Sequence, residues 1–131
     1  MIVEEPVVTD VAPNWRELVT NLMLDVEFST FVMFQRGLAV SGNNPYGEAH
    51  LYFPGSEKLV LWWRLNEQLR DVLVDMIAAE ELFIWPAGPA HYWNQGFETQ
   101  VKIAVCVNPP EPQWVPSVLS IVACPFKKQS L

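Results

Sequence analysis

The chain of 131 residues lacks several features that would assign it directly to a class. No apolar run approaches the ~20 residues that a membrane-spanning helix needs, so we expect no membrane segment. The start, "MIVEEPVVTD", has neither the basic residues nor the apolar stretch of a secretory signal. These absences favour a globular cytoplasmic protein, and the length favours a single domain over residues 1–131.

Basic residues are also few. The chain has 8 Lys and Arg against 15 Asp and Glu, with a formal net charge of −7. Because affinity for DNA or RNA comes largely from cations that contact phosphates, this balance argues against nucleic-acid binding. Cys106 and Cys124 lie in separate apolar segments, without a Cys-x-x-Cys or His/Cys spacing. We therefore predict reduced, buried thiols rather than a zinc site or a disulfide.

Signatures of catalysis are missing from the sequence as well. It has no Gly-rich phosphate loop, dinucleotide fingerprint, kinase motif set or metalloprotease helix. Glu48 and His50 are separated by one residue, as two ligands on one face of a strand would be, but two donors alone are a weak metal signal. We predict no catalytic residue, no metal and no cofactor, and we lean towards a non-enzymatic protein.

Two amphipathic helices are the clearest features that the sequence does contain. Asn14 precedes "WRELVTNLMLDV" and Asn66 precedes "EQLRDVLVDMIA", and both segments repeat apolar residues at 3-4 spacing. These patterns predict helices near residues 14–26 and 66–80. Glu80 and Glu81 come at the end of the second helix, where the helix dipole disfavours acids, so we expect a basic partner near them.

Strand patterns account for much of the remaining chain. "FSTFVMFQ", "AHLYF" and "KLVLWW" lie between the helices, and "LFIW", "TQVKIAVCV" and "SVLSIVAC" follow the second helix. "IVEEPVV" is a candidate for an extra N-terminal strand. The order α-β-β-β-α-β-β-β predicts an α+β fold with both helices packed on one face of an antiparallel sheet.

This order of elements, without any shared motif, resembles that of two groups of small acidic α+β proteins. They are the secretion chaperones and the phage tail-completion proteins. The chaperones end in a third helix, which "CPFKKQSL" is too short and too interrupted by proline to form. The two halves of the chain also share apolar positions, which leaves an internal repeat open.

Aromatic residues are concentrated in two loops rich in Pro. Residues 83–97 hold two Trp, two Phe, one Tyr and one His without any charge, and "NPPEPQWVP" places a Trp among four prolines. Long loops such as 86–98 are usually functional in compact domains, and rigid aromatic side chains are typical interface anchors. The candidate binding residues are Trp63, Trp85, His91, Tyr92, Trp93, Phe97 and Trp114.

Three interpretations of these rings stay open. The first is a protein-binding or assembly module whose partner is another protein or a second copy in a homodimer. Because neighbouring strand residues point to opposite faces, Trp62 and Trp63 would leave one ring on the face without helices, where a second copy could cover it. The second is a small-molecule-binding domain or minor enzyme, with His91, Tyr92 and Trp93 lining a pocket formed by residues 86–98. The third is that both loops fold back over the chain's own core.

Overall fold

The structure is a computed structural model that describes residues 13–96, 103–104 and 111–123. Helices and β-sheets are both present, so the predicted α+β class is confirmed. In chain order the elements are α1 (Trp15–Val26), β1 (Phe28–Thr30), α2 (Phe31–Val40), β2 (Tyr46–Tyr52), β3 (Leu59–Leu65), α3 (Glu67–Ala78), β4 (Phe83–Pro86), α4 (Ala90–Trp93), β5 (Gln113–Trp114) and β6 (Ser117–Ser120). Within the described residues, none of the helices is both long enough and apolar enough to cross a membrane. The predicted N-terminal strand, most of the strand at 99–107, Phe97 and both cysteines lie outside the described residues.

The two helices expected from periodicity are present as α1 and α3, and each begins at its expected cap. The Asn14 side chain accepts a hydrogen bond from the backbone N–H of Glu17 at 3.1 Å. Asn66 accepts from two backbone N–H groups in the first turn of α3, at 2.9 and 3.1 Å. The buried faces consist of Trp15, Val19 and Met23 in α1 and of Leu69, Leu73 and Met76 in α3. The apolar spacing therefore predicted both the helices and their inward faces.

The acidic end of α3 has a basic partner, as the sequence suggested. The carboxylate of Glu81 accepts from the guanidinium of Arg16 in the first turn of α1. Because both side chains are close to half exposed, this ion pair contributes about 0–1 kcal/mol. The backbone N–H groups of Glu80 and Glu81 bond to the carbonyls of Ile77 and Met76, which closes α3 with paired C-terminal bonds.

The segment "FSTFVMFQ" corrects one prediction, because only its first three residues form a strand and a third helix, α2, begins at Phe31. The hydroxyl of Thr30 caps this helix by accepting from the backbone N–H of Met33 at 3.2 Å. Phe31, Phe34 and Leu38 follow at helical spacing and are all buried. Aromatic and β-branched content favoured a strand locally. A capped helix is formed instead because it buries these rings on one face.

The strands form two sheets of three strands, where the sequence predicted one antiparallel sheet. In the first sheet β6 lies between β1 and β4, and both pairs are antiparallel. In the second, β3 pairs antiparallel with β2, as the predicted hairpin requires, and parallel with β5. The prediction of a single sheet is wrong because α2 replaces most of the strand that was expected after α1. The short β1 that remains pairs with β6, far away in the sequence.

Helices contact both sheets, and the core lies between these layers. α1 packs against α2 and α3, α3 packs against β2, and α2 packs against β1 and β6. The prediction of two helices on one sheet face is thus corrected to three packed helices that contact different sheets. The loop segment that contains α4 lies near the junction of the two sheets, since Ala87 bonds to Pro116 and the Tyr92 ring contacts Trp62 of β3.

Pairing between β2 and β3 is irregular along its length. Leu65 lies opposite both Tyr46 and Ala49, so β2 carries extra residues at this point. A Cβ atom at position 47 would lie 2.7 Å from the carbonyl oxygen of Leu65, so the position requires Gly47. Arg64 adopts φ 60°, the left-handed region that non-glycine residues rarely occupy.

Candidate functional site

Two of the predicted binding residues, Tyr92 and Trp114, are buried in a cluster of rings around Trp62. Trp62 stacks on Phe31 of α2, with ring centroids 5.6 Å apart and planes at 11°. Tyr92 packs against Trp62 and against Trp114, with centroids 5.1 Å apart in each pair. The side chains of Trp62, Tyr92 and Trp114 are all buried. Tyr92 and Trp114, one from each aromatic segment, therefore pack on the chain's own core, as in the third of the interpretations that the sequence left open.

Tyr92 also connects three elements through its hydroxyl. The oxygen accepts from the backbone N–H of Phe31 at 3.0 Å, and the O–H donates to the carbonyl of Ser117. Phe31 is the first residue of α2, where a helix has no internal partner for its N–H, so the hydroxyl acts as a long-range cap. Burial raises the pKa of Tyr92 above its ordinary value, and the hydrogen bond from Phe31 lowers it by a smaller amount. A neutral hydroxyl with both bonds made is a structural tie and is poorly suited to proton transfer.

The expectation of an uncovered ring on β3 is corrected. Trp62 is covered by Phe31 and Tyr92, and the half-buried Trp63 has its ring 5.8 Å from that of Trp62 and 6.1 Å from that of Trp114. The residues that cover Trp62 come from α2 and α4. The alternation of side chains along β3 does not predict where those two helices lie. An uncovered sheet face therefore no longer argues for a dimer, and self-association stays a prediction.

The other predicted binding residues are spread over different surroundings. The half-buried Trp85 donates from Nε1 to the carbonyl of Val122 at 2.8 Å, and its ring meets Phe28 edge-on at 5.2 Å. Trp93 is 54% exposed and His91 is exposed. The six candidates that the structure describes do not converge on one site, and the role of all seven in binding stays a prediction.

An apolar groove is formed by elements that the sequence did not bring together, and we call it the α1–α2 groove. Its volume is about 660 Å³. Its lining includes Leu22 and Val26 of α1 and Met33, Gly37 and Val40 of α2. These positions recur at helical spacing, so one stripe from each helix faces the groove. A Cβ at Gly37 would come within 2.9 Å of the Leu22 side chain, which shows how closely the two helices approach.

Several apolar side chains at this groove are open to solvent. Met33 is 48% exposed and Val40 is 87% exposed, and Val26 and Phe28 are exposed as well. Arg36 is the one charged side chain among the lining residues. Exposed apolar side chains grouped around a concavity make this groove a candidate interaction site. The sequence pattern does not reveal this signal, because residues 28–35 are predicted as a strand and residues 38–48 as a loop, which hides the helical spacing of Met33, Gly37 and Val40.

The aromatic loop supplies another part of the lining of the groove. Pro86, Ala87, His91 and Gln95 line it, so four residues of the predicted recognition segment 86–98 do face a concave surface. The segment is held in place because the hydroxyl of Thr30 donates to Oε1 of Gln95 at 2.7 Å. The loop therefore contributes to a candidate site through its polar and small residues, while Tyr92 anchors it to the core.

A second concavity, of about 440 Å³, is polar and contains the two weak metal candidates. Glu48, His50 and Tyr52 of β2 line it together with Glu67 and Arg70 of α3. Arg70 pairs with Glu67 and Asp71 and donates to the carbonyl of His50 at 3.1 Å. Across residues 13–96, 103–104 and 111–123, no three His, Cys, Asp or Glu side chains are grouped to hold a metal ion. This pocket gives no support to a metal site.

Comparison of the chain with protein-family models, with curated proteins and with solved structures gives no match. The functional argument therefore depends on the groove itself.

Proposed function

We propose that this protein is a non-enzymatic protein-binding or assembly module that acts through the α1–α2 groove. The partner that we assign to the groove is a second copy of the chain, in a symmetric dimer. The observation that carries the proposal is the convergence of exposed apolar side chains from α1, β1 and α2 on one open groove. The proposal retains the cytoplasmic location expected from the sequence.

The shape of the groove suits an α-helix. Part of its lining consists of stripes of two packed helices, which is the arrangement that receives an amphipathic helix at anchors spaced three and four residues apart. The same surface also has exposed side chains that can insert into the groove of a second copy. They are Val26 at the end of α1 and Val40 at the end of α2. The same surface therefore provides both a concavity and protruding apolar side chains.

A second copy fits this surface because a twofold axis requires one patch to complement itself. The patch carries both signs of charge: Arg36 lines the groove, and the exposed Asp25 and Glu27 flank Val26. Two copies related by a twofold axis can bring the cation of each chain towards the acids of the other. Burying large apolar side chains from water is worth about 1.5–3 kcal/mol each, and a symmetric contact gains this twice.

The behaviour of the loop residues supports a binding role over catalysis. Tyr92 supplies the phenol group of the predicted loop. Its hydroxyl bonds to the N–H of Phe31 and to the carbonyl of Ser117, and so connects α2 with β6. His91 lies at the groove wall among apolar neighbours, where it can contact a partner. These placements favour a surface that is recognised over a site where protons are transferred.

Light scattering of matched variants tests the proposal. Met33 and Val74 are both 48% exposed, but Met33 lies in the groove and Val74 lies on α3. At about 50 μM, we expect wild type and Val74→Glu to show twice the chain mass of 14.9 kDa, and Met33→Glu to show the single mass. A monomeric wild type would contradict the proposal, as would a dimer that survives Met33→Glu.

A second candidate function is binding, in the same groove, of a small carboxylate that carries an apolar chain. Pro86, Ala87, His91 and Gln95 make one wall of the groove concave, and Arg36 could pair with a carboxylate. Calorimetric titration with decanoate as the probe separates the two. Saturable binding to a monomeric wild type, lost in Met33→Glu and kept in Val74→Glu, would favour the small-molecule function.

A further inference from the structure

We propose that Arg36 determines the register of the dimer by pairing with Asp25 and Glu27 of the second copy. This inference rests on the proposed dimer and names the charges that select its geometry. An apolar groove alone permits many alignments of a partner, whereas one cation opposed to two acids permits few.

Arg36 is available for such a contact. It is exposed and is charged within an otherwise uncharged lining. Elsewhere in the described chain Arg16 pairs with Glu81, and Arg70 pairs with Glu67 and Asp71. Arg36 makes no ion pair with any described residue. A guanidinium with its donors free beside apolar surface is suited to a carboxylate from a partner.

The two acids lie next to groove residues of α1 and β1, and neither has an ion-pair partner among the described residues. Asp25 is three residues after Leu22 and so borders the stripe of α1 that faces the groove. Glu27 follows Val26 and ends α1, with a backbone φ of 63°. Both side chains are exposed, and neither forms an ion pair among residues 13–96, 103–104 and 111–123. Arg36 therefore does not satisfy them within its own chain.

Symmetry makes these charges complementary in pairs. In a twofold contact, Arg36 of each chain approaches Asp25 and Glu27 of the other, so each attraction occurs twice. The chain has a net charge of −7, which opposes association, and cross-chain pairs at the edge of the groove offset that repulsion. Reversing the charge of Arg36 or of the two acids removes an attraction and adds a repulsion. It should therefore weaken the dimer more than truncation of the same side chains to alanine.

Complementary charge reversal tests the inference. Arg36→Glu places an acid opposite two acids, and the double variant Asp25→Arg/Glu27→Arg places two cations opposite Arg36. Sedimentation velocity should show that each variant alone has its dimer dissociation constant raised at least about tenfold. Mixed in equal amounts, the two variants should form a heterodimer as readily as wild type, because both symmetry-related contacts then join opposite charges. Arg64→Glu is the matched control, since Arg64 is exposed, lies outside the groove and has no ion pair among the described residues.

The outcomes separate this inference from the proposed function. If Met33→Glu abolishes a wild-type dimer but the mixed variants stay monomeric, the groove is the contact and the assigned charge pairs are wrong. If Arg64→Glu weakens the dimer as much as Arg36→Glu does, the effect is one of net charge and the inference is overturned. A wild type that is monomeric at every concentration overturns both the inference and the dimer.

Discussion

Two buried polar side chains hold distant segments of this molecule in place. Tyr92 connects α4, α2 and β6 through its hydroxyl. The amide of Gln35 accepts from Trp62 Nε1 at 2.9 Å and donates to the carbonyl of Arg64 at 2.9 Å. Buried hydrogen bonds of this kind contribute modestly when made, but an orphaned partner costs more. Their positions indicate that the aromatic core is specified by polar contacts as well as by packing.

Tyr92→Phe should destabilise the protein although it keeps the ring. The Phe31 N–H and the Ser117 carbonyl lose their partner, so we expect the free energy of unfolding in urea to fall by about 1–3 kcal/mol. The exposed Tyr46→Phe serves as control and should leave that free energy nearly unchanged. An equal loss in both variants would show that the Tyr92 hydroxyl has no special role.

Tyr92→Phe should also change how the free energy of unfolding depends on pH in alkaline solution. Because the pKa of Tyr92 is raised by folding, the unfolded chain releases this proton first. The stability that the protonated Tyr92 hydroxyl gives to the folded state is fully present below the ordinary tyrosine pKa of about 10. It is lost as pH rises above that value. Wild type should therefore lose stability between about pH 10 and 11.5 more steeply than Tyr92→Phe. Parallel curves for the two proteins would contradict this.

At the scale of elements, the junction of β2, β3 and α3 is tightly constrained. Leu65 faces two residues of β2, and the chain passes directly from β3 into the cap of α3 at Asn66. Gly47 lies against this junction so closely that backbone atoms occupy the space of a side chain. The hairpin was predicted from its two strands, but this irregularity depends on how α3 follows β3.

Gly47→Ala should disturb this junction. The new methyl would lie 2.7 Å from the Leu65 carbonyl oxygen and 2.9 Å from Asn66 Cα, and backbone cannot move aside as a side chain can. We expect a loss of about 1–3 kcal/mol in urea unfolding. Gly88→Ala is the control, because no atom lies within 4 Å of its added methyl. That substitution should be neutral within about 0.5 kcal/mol. A neutral Gly47→Ala would show that the junction has room.

At the scale of the whole molecule, the acidic net charge and the apolar groove act in opposite directions. A charge of −7 favours a dispersed monomer, while the exposed side chains of α1, β1 and α2 favour association. The groove is mainly apolar, whereas the pocket beside β2 is polar and is lined by Arg70 and its ion-pair partner Glu67. The balance between these effects sets the concentration at which a dimer forms.

Thermal unfolding should report that balance. If the folded dimer separates on unfolding, the midpoint temperature of wild type rises with protein concentration by mass action. Scanning calorimetry from about 5 to 200 μM should show this rise for wild type and for Val74→Glu, and a constant midpoint for Met33→Glu. A midpoint independent of concentration in all three proteins would indicate unfolding of a monomer.

The sequence by itself determined the α+β class, α1 and α3 with their asparagine caps, and the β2–β3 hairpin. These features depend on local hydrogen bonds and on apolar spacing within one segment, and both are readable from neighbouring residues.

Only the tertiary structure decided the remaining features. α2 forms where Phe31 and Phe34 could equally suit a strand, because packing against Trp62 and the Tyr92 hydroxyl favours the helix. The parallel pairing of β3 with β5 joins residues about fifty positions apart, which no local pattern specifies. The groove combines Leu22, Met33 and His91 from three separate segments, and it exists only because folding brings them together.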